Sequence, residues 1–127
     1  EPILEIEPDS RWRNLAVGSV RIVPCSDGLA AFECAYYYDR KKNKSSSAVL
    51  LLTSQDGISW KDEKVIQESP EEAWAGRYIT SVDVRFKEGE NTWYCYYSAN
   101  GYSMKNGRRS VKESLGLLLG ADTVPQP

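Results

Sequence analysis

The sequence predicts an all-β fold, built as two antiparallel four-stranded blades of the β-propeller kind. Three observations predict it. The chain repeats itself at a fixed spacing, its β-branched and aromatic residues gather in short segments bounded by turn formers, and no window carries a 3.6-residue period with caps. The interval from Pro8 to Pro70 recurs from Trp12 to Trp74, from Val17 to Ile79, from Ser19 to Ser81 and from Val20 to Val82. Farther on, Phe32-Glu33-Cys34 answers Trp93-Tyr94-Cys95, and Leu50-Leu51-Leu52 answers Leu117-Leu118-Leu119. The offset drifts where hairpin loops differ in length. The two copies cover residues 3–62 and 65–124, so they make one domain of two repeats.

Each copy divides into four extended segments. In the first these are residues 2–7, 17–24, 29–38 and 48–53; in the second, 63–68, 79–87, 92–98 and 114–120. Ser26-Asp27-Gly28, Asp56-Gly57, Glu88-Gly89-Glu90-Asn91 and Asn100-Gly101 supply the turns between them. Four antiparallel strands in a repeat of this length describe a propeller blade, while turn spacing alone also allows an eight-stranded β-sandwich. Each copy opens with a strand, passes through a Pro-x3-Trp loop and enters a Ser-Val strand. This order makes the first strand of each copy the outer strand of the preceding blade. Two blades cannot close a ring, because both ends expose apolar faces. The chain is therefore expected to be part of a longer propeller or to be completed by oligomerisation with copies of itself.

Composition narrows the chemistry. With 127 residues and 41% apolar content the chain can bury a real core, and a net charge of −2 gives no long-range attraction to nucleic acid or anionic lipid. No basic face interleaved with aromatics appears, and no apolar stretch approaches the roughly 20 residues that span a bilayer. Nucleic acid and membrane are accordingly not expected as partners, and the compartment stays open. The run Arg40-Lys41-Lys42-Asn43-Lys44 reads as a solvated hairpin loop. Asn43-Lys44-Ser45 is a glycosylation sequon, with meaning only in a secreted eukaryotic protein. There is no histidine, and the three cysteines form an odd set. A disulfide framework, a His-activated nucleophile and a His-ligated metal are not expected, and no cofactor is implied. Acid–base chemistry falls to carboxylates, Tyr, Lys or Cys.

Several stretches resemble the five-bladed β-propeller glycosidase superfamily of arabinanases, β-xylosidases, levansucrases and invertases. These are Ser19-Val20-Arg21-Ile22-Val23-Pro24 with Tyr36-Tyr37-Tyr38, Leu52-Thr53-Ser54-Gln55-Asp56-Gly57-Ile58-Ser59-Trp60, Ser81-Val82-Asp83-Val84-Arg85-Phe86 with Trp93-Tyr94-Cys95-Tyr96-Tyr97-Ser98, and Ser114-Leu115-Gly116-Leu117. The third is similar to the family's Pro-Asp-Val stretch. The resemblance spans about two of five blades. It implies a glycosidase-like carbohydrate-active domain acting on or binding a poly- or oligosaccharide, with hydrolysis by two flanking carboxylates. It also implies that Asp83 is the third, acid-orienting carboxylate. The chain departs from the family at the base, where Gly18-Ser19 stands in place of Asp-Pro, and it carries no match to the acid. These departures leave enzymatic activity open. They set beside it a second reading, a non-catalytic carbohydrate-binding or structural module assembling through blade edges.

The candidate site residues follow. Asp83 either belongs to the site, caps a turn, or pairs with Arg85 or Arg21. Arg21 either holds a carboxylate or sugar hydroxyls, or neutralises Asp83. Trp12 and Trp74 are stacking platforms for sugar rings or packing between blades, and Tyr102 is a further platform. Arg77 and Tyr78 precede the Asp83 strand on the same loop. Glu71 and Glu72 read as solvated loop carboxylates. Ser54 to Trp60 also resembles the Asp-box of sialidases, one residue short; there the Asp caps a turn and the Trp packs beneath it.

Overall fold

A computed structural model describes residues 1–72, 74–120 and 126–127. The end of the second sequence copy, 121–124, lies outside the described part. Among the described residues, seven strands form two antiparallel sheets, and each sheet is a meander in which sequence neighbours pair. The first holds β1 (Ala16–Cys25), β2 (Gly28–Asp39), β3 (Lys44–Ser54) and β4 (Lys61–Glu68). The second holds β5 (Tyr78–Lys87), β6 (Thr92–Lys105) and β7 (Arg108–Gly120). A 3₁₀ turn, Glu88–Glu90, bridges β5 and β6.

The sequence repeat is visible in the backbone. β1 and β5 have the same length and begin one repeat interval apart. Each breaks register just after an equivalent residue, between Val17 and Val20 and between Ile79 and Ser81. The segment that opens the second sequence copy becomes β4, the last strand of the first sheet, as the displaced-strand reading expects. Residues 2–7 do not form the strand expected of them. Instead, this segment lays Leu4 on the first sheet. Among the described residues, no neighbouring strand pairs with its backbone.

The turn expected at Asn100-Gly101 is also corrected: both residues lie inside β6. The hairpin reverses at Asn106-Gly107, where both residues have positive φ (51° and 71°), the geometry of a two-residue turn that follows strand twist. β6 and β7 are therefore longer than expected and stay in register from Trp93–Gly120 to Lys105–Arg108. At the other tight hairpin, Gly28 has φ 128°, and a Cβ there would overlap the Ser54 carbonyl oxygen, so a side chain does not fit.

The two sheets pack face to face. Phe32, Cys34, Val49 and Leu51 of the first meet Val82, Val84, Trp93, Cys95 and Tyr97 of the second in one buried layer, with the Phe32 and Trp93 rings 6.0 Å apart. Buried Ser47 ties the sheets together: its Oγ accepts from the Ile79 N–H at 2.7 Å and pairs with Ser69 Oγ at 2.7 Å. The other face of the first sheet (Ala31, Ala35, Tyr37, Ala48, Leu50, Leu52) is covered by Leu4, Trp12 and Trp60. That face also contains a buried charge. Glu33, 0% exposed, faces Arg13, 3% exposed, with Arg13 Nε 3.4 Å from Glu33 Oε2 and Arg13 Nη1 3.1 Å from Glu7 Oε1.

Strand register refines the repeat. Phe32 lies opposite Arg21 and Tyr96 lies opposite Asp83, so Phe32 and Tyr96 are the positional equivalents. Phe32 and Trp93, matched by motif, sit an odd number of positions out of that register. Because side chains alternate faces, they point from opposite sheets into the same layer. Cys34 and Cys95 meet there for the same reason. By the same register, buried Leu51, opposite Phe32, corresponds to Leu117, opposite Tyr96, on the outer face of the second sheet. That face is uncovered: Leu115 is 70% and Leu119 61% exposed, beside Tyr96 and Leu117.

Candidate functional site

β1 and β5 are the first strands of their sheets, and they bring Arg21 and Asp83 together. Asp83 Oδ1 accepts a hydrogen bond from Arg85 Nη1 at 2.8 Å and forms an ion pair with Arg21, whose Nε is 3.2 Å away. All three side chains are about half exposed. Each guanidinium has five N–H donors in a planar fork, so donors remain after Asp83 is satisfied. The cluster can orient hydroxyl or carboxylate oxygens. It cannot by itself perform two-carboxylate hydrolysis, which needs a second acid about 5–9.5 Å away. β1 and β6 contain no acidic residue, and Asp83 is the only one on β5. Glu113, on β7, is hydrogen-bonded to the Thr80 hydroxyl.

A second group forms where β5 begins, about 15 Å along the strand from Asp83. Arg77 is anchored by its N–H to the Asn100 carbonyl at 3.0 Å. Its guanidinium carbon lies 5.4 Å from the Tyr78 ring centroid and 5.5 Å from that of Tyr102. Arg109 lies closer, 3.5 Å over Tyr102. The Tyr78 hydroxyl pairs with Ser45 Oγ at 2.5 Å, and its ring meets Tyr36 edge-on at 5.8 Å. Arg77, Tyr78 and Tyr102 are thus brought together, while Asp83 and Arg21 form a separate cluster. Tyr102 serves as a platform for guanidinium groups. Sequence reasoning alone does not single out Arg109. Tyr102 pairs with Val111, which makes Arg109 its diagonal neighbour, but that relation follows only once the turn at Asn106-Gly107 is known.

The two repeat tryptophans each pack on a tyrosine of their own sheet. Trp12 meets Tyr37 edge-on at 5.0 Å, and Trp74 stacks on Tyr97 at 6.2 Å and 27°. Trp74 keeps 38% of its surface exposed. Neither joins the Asp83 cluster or the Arg77 group through any ring contact among the described residues.

At the end of the first sheet the loop before β1 and the β2–β3 hairpin enclose a cleft of about 380 Å³. Arg11, Asn14, Tyr38, Arg40 and Lys41 are among its lining residues. The expectation of a purely solvated basic loop does not foresee this cleft, because the opposite wall comes from residues 8–14.

Other titratable groups serve the fold. Burial pushes the Cys34 thiol up to about 12 and the Cys95 thiol to about 11, which suits packing rather than nucleophilic chemistry. Asp56 accepts from the Ser59 and Ile58 N–H groups, both at 2.8 Å, and from Ser54 Oγ, which together hold its carboxyl down at about 2. Trp60 packs below on the first sheet, so this turn has the structural role expected of it. Among the described residues no three His, Cys, Asp or Glu side chains gather as a metal site. No family model, no curated protein and no solved structure matches the chain.

Proposed function

We propose that this chain is a two-blade part of a glycosidase-like β-propeller that binds a poly- or oligosaccharide and does not hydrolyse it unaided. The observation that carries this reading is that Arg21 and Arg85, although paired with Asp83, stay about half exposed with guanidinium donors to spare, at the first strands of the two sheets, with no second carboxylate on β1, β5 or β6. The displaced strand β4, which opens the second copy yet completes the first sheet, supports the propeller arrangement. The family resemblance supports carbohydrate as the ligand. Arginine forks and aromatic faces suit sugar hydroxyls and ring faces. Calorimetric titration with neutral arabino- and xylo-oligosaccharides tests it, alongside an assay for released reducing ends. Binding that weakens in Asp83→Asn, without hydrolysis, supports the reading; no binding at all, or turnover by the chain alone, overturns it.

A second reading, a module that assembles through blade faces, is favoured by one observation. Leu115, Leu117 and Tyr96 stand uncovered where their register equivalents in the first sheet are buried by the second. Light scattering behind a sizing column tests it: a discrete multiple of 14.3 kDa supports assembly, and a monomer contradicts it.

A further inference from the structure

The cleft between residues 8–14 and the β2–β3 hairpin carries more information than its basic sequence does. Its frame is held by hydrogen bonds. Ser10 Oγ accepts from the N–H groups of Trp12 and Arg13, at 3.2 and 3.3 Å. Asn14 uses both ends of its amide, donating to the Ser10 carbonyl at 3.0 Å and accepting from the Tyr38 N–H at 2.8 Å. The two walls are thereby joined. Arg11 lies on the Trp12 ring, its Cζ 4.4 Å from the centroid, and Trp12 in turn rests against Tyr37. Stacking of this kind orients a guanidinium while leaving its edge free to donate.

The charges around the cleft are not balanced. Its lining contains Arg11, Arg40 and Lys41 against Asp9 and Asp39. Asp39 is committed to its own turn, accepting from the N–H groups of Lys41 at 2.9 Å and Lys42 at 3.2 Å. Lys42, outside the lining, pairs with Glu71 at 3.7 Å. Among the described residues, Arg11, Arg40 and Lys41 form no ion pair within 4 Å, although, behind the turn N–H groups, the charge of Arg11, with that of Lys42, helps hold the Asp39 carboxyl below its usual range. A volume of about 380 Å³ is within the range of small-ligand sites. Exposed Tyr38 provides an aromatic ring at the rim.

We propose that this cleft is a subsite for an acidic saccharide, in which Arg11, Arg40 and Lys41 receive the carboxylate of a hexuronate unit beside Tyr38. The proposal rests on the carbohydrate reading above and adds the substrate class. A planar carboxylate matches a guanidinium edge bidentately, whereas a neutral hydroxymethyl group in the same place leaves the excess positive charge uncompensated.

The test is calorimetric titration with trigalacturonate and with its fully methyl-esterified form, in which each carboxylate is replaced by a neutral ester. The acid is expected to bind at least tenfold more tightly than the ester, with the gap narrowing as salt is raised. Arg11→Gln and Arg40→Gln are each expected to reduce acid binding severalfold while leaving ester binding unchanged. Lys112→Gln, an equal charge change outside the cleft, is expected to leave both unchanged. Equal affinity for acid and ester would overturn the proposal while leaving the carbohydrate reading in place. So would acid binding insensitive to Arg11→Gln and Arg40→Gln. Failure of both sugars and of the neutral oligosaccharides would overturn the two together.

Discussion

Glu33→Ala is the substitution whose cost the structure defines most sharply. Glu33 is 0% exposed in the centre of β2, and its partner Arg13 is 3% exposed. Removing the carboxylate leaves Arg13 buried, with exposed Glu7 beside it at 3.1 Å. Breaking one half of a buried pair costs about 3–5 kcal/mol, because the surviving charge is desolvated without full compensation. At about 2.1 cal/mol/K per residue, a 127-residue chain unfolds with an entropy of about 0.27 kcal/mol/K, so the expected drop in Tm is about 11–19 °C. Arg13→Met should cost a similar amount. The double variant Arg13→Met/Glu33→Leu should recover most of the loss, since an apolar pair of similar volume carries no desolvation penalty. Urea unfolding of the parent, Arg13→Met, Glu33→Leu and the double, read by tryptophan fluorescence, gives the cycle. A single variant losing less than about 1 kcal/mol, or a double losing the sum of the singles, would show that this pair does not anchor the N-terminal segment to the sheet.

The same structure sets three further expectations. Asp56 has its carboxyl lowered from 3.8 to about 2 by the turn N–H groups, so its contribution is complete above its unfolded value and is lost as pH falls through about 2. The Tm difference between the parent and Asp56→Ala should therefore be constant above about pH 5 and close toward about pH 2; a gap that widens on acidification would contradict this. Partly exposed Cys25 should react with a thiol reagent in the native protein, while buried Cys34 and Cys95 react only on unfolding; three equal rates would contradict the burial of the last two. Gly116→Ala would drive a Cβ into the ring of Tyr97, which stacks on Trp74. It should cost about 1–3 kcal/mol and shift Trp74 fluorescence; an unchanged spectrum and stability would show that Tyr97 is free to move.

The all-β class is legible in the sequence because it rests on local chemistry. Val17 to Ile22 and Ile79 to Val84 are β-branched at matching places, and they fold into strands with matching breaks in register. The β6–β7 hairpin is not, because Asn100-Gly101 and Asn106-Gly107 carry the same turn signal. Pairing with β7 settles which one turns, and that is a non-local fact. The 2–7 segment misleads for a related reason, since a strand needs a neighbour as well as a sequence. Glu33 cannot be recognised as buried from Ala-Phe-Glu-Cys-Ala, because its partner Arg13 lies far upstream, in the loop before β1. At the candidate site, the pairing of Asp83 with Arg21 is one of several outcomes that the sequence allows for these residues. The basic cleft is hidden from the sequence, because its walls come from segments that meet only in the folded chain.

The most direct measurement is saccharide binding by the parent chain and Arg21→Gln, made by calorimetry across neutral and acidic oligosaccharides with reducing ends assayed in the same samples. Binding without release of reducing ends, weakened at least tenfold for neutral sugars in Arg21→Gln, is the predicted result. A chain that binds none of the sugars, or one that hydrolyses them, would contradict the account.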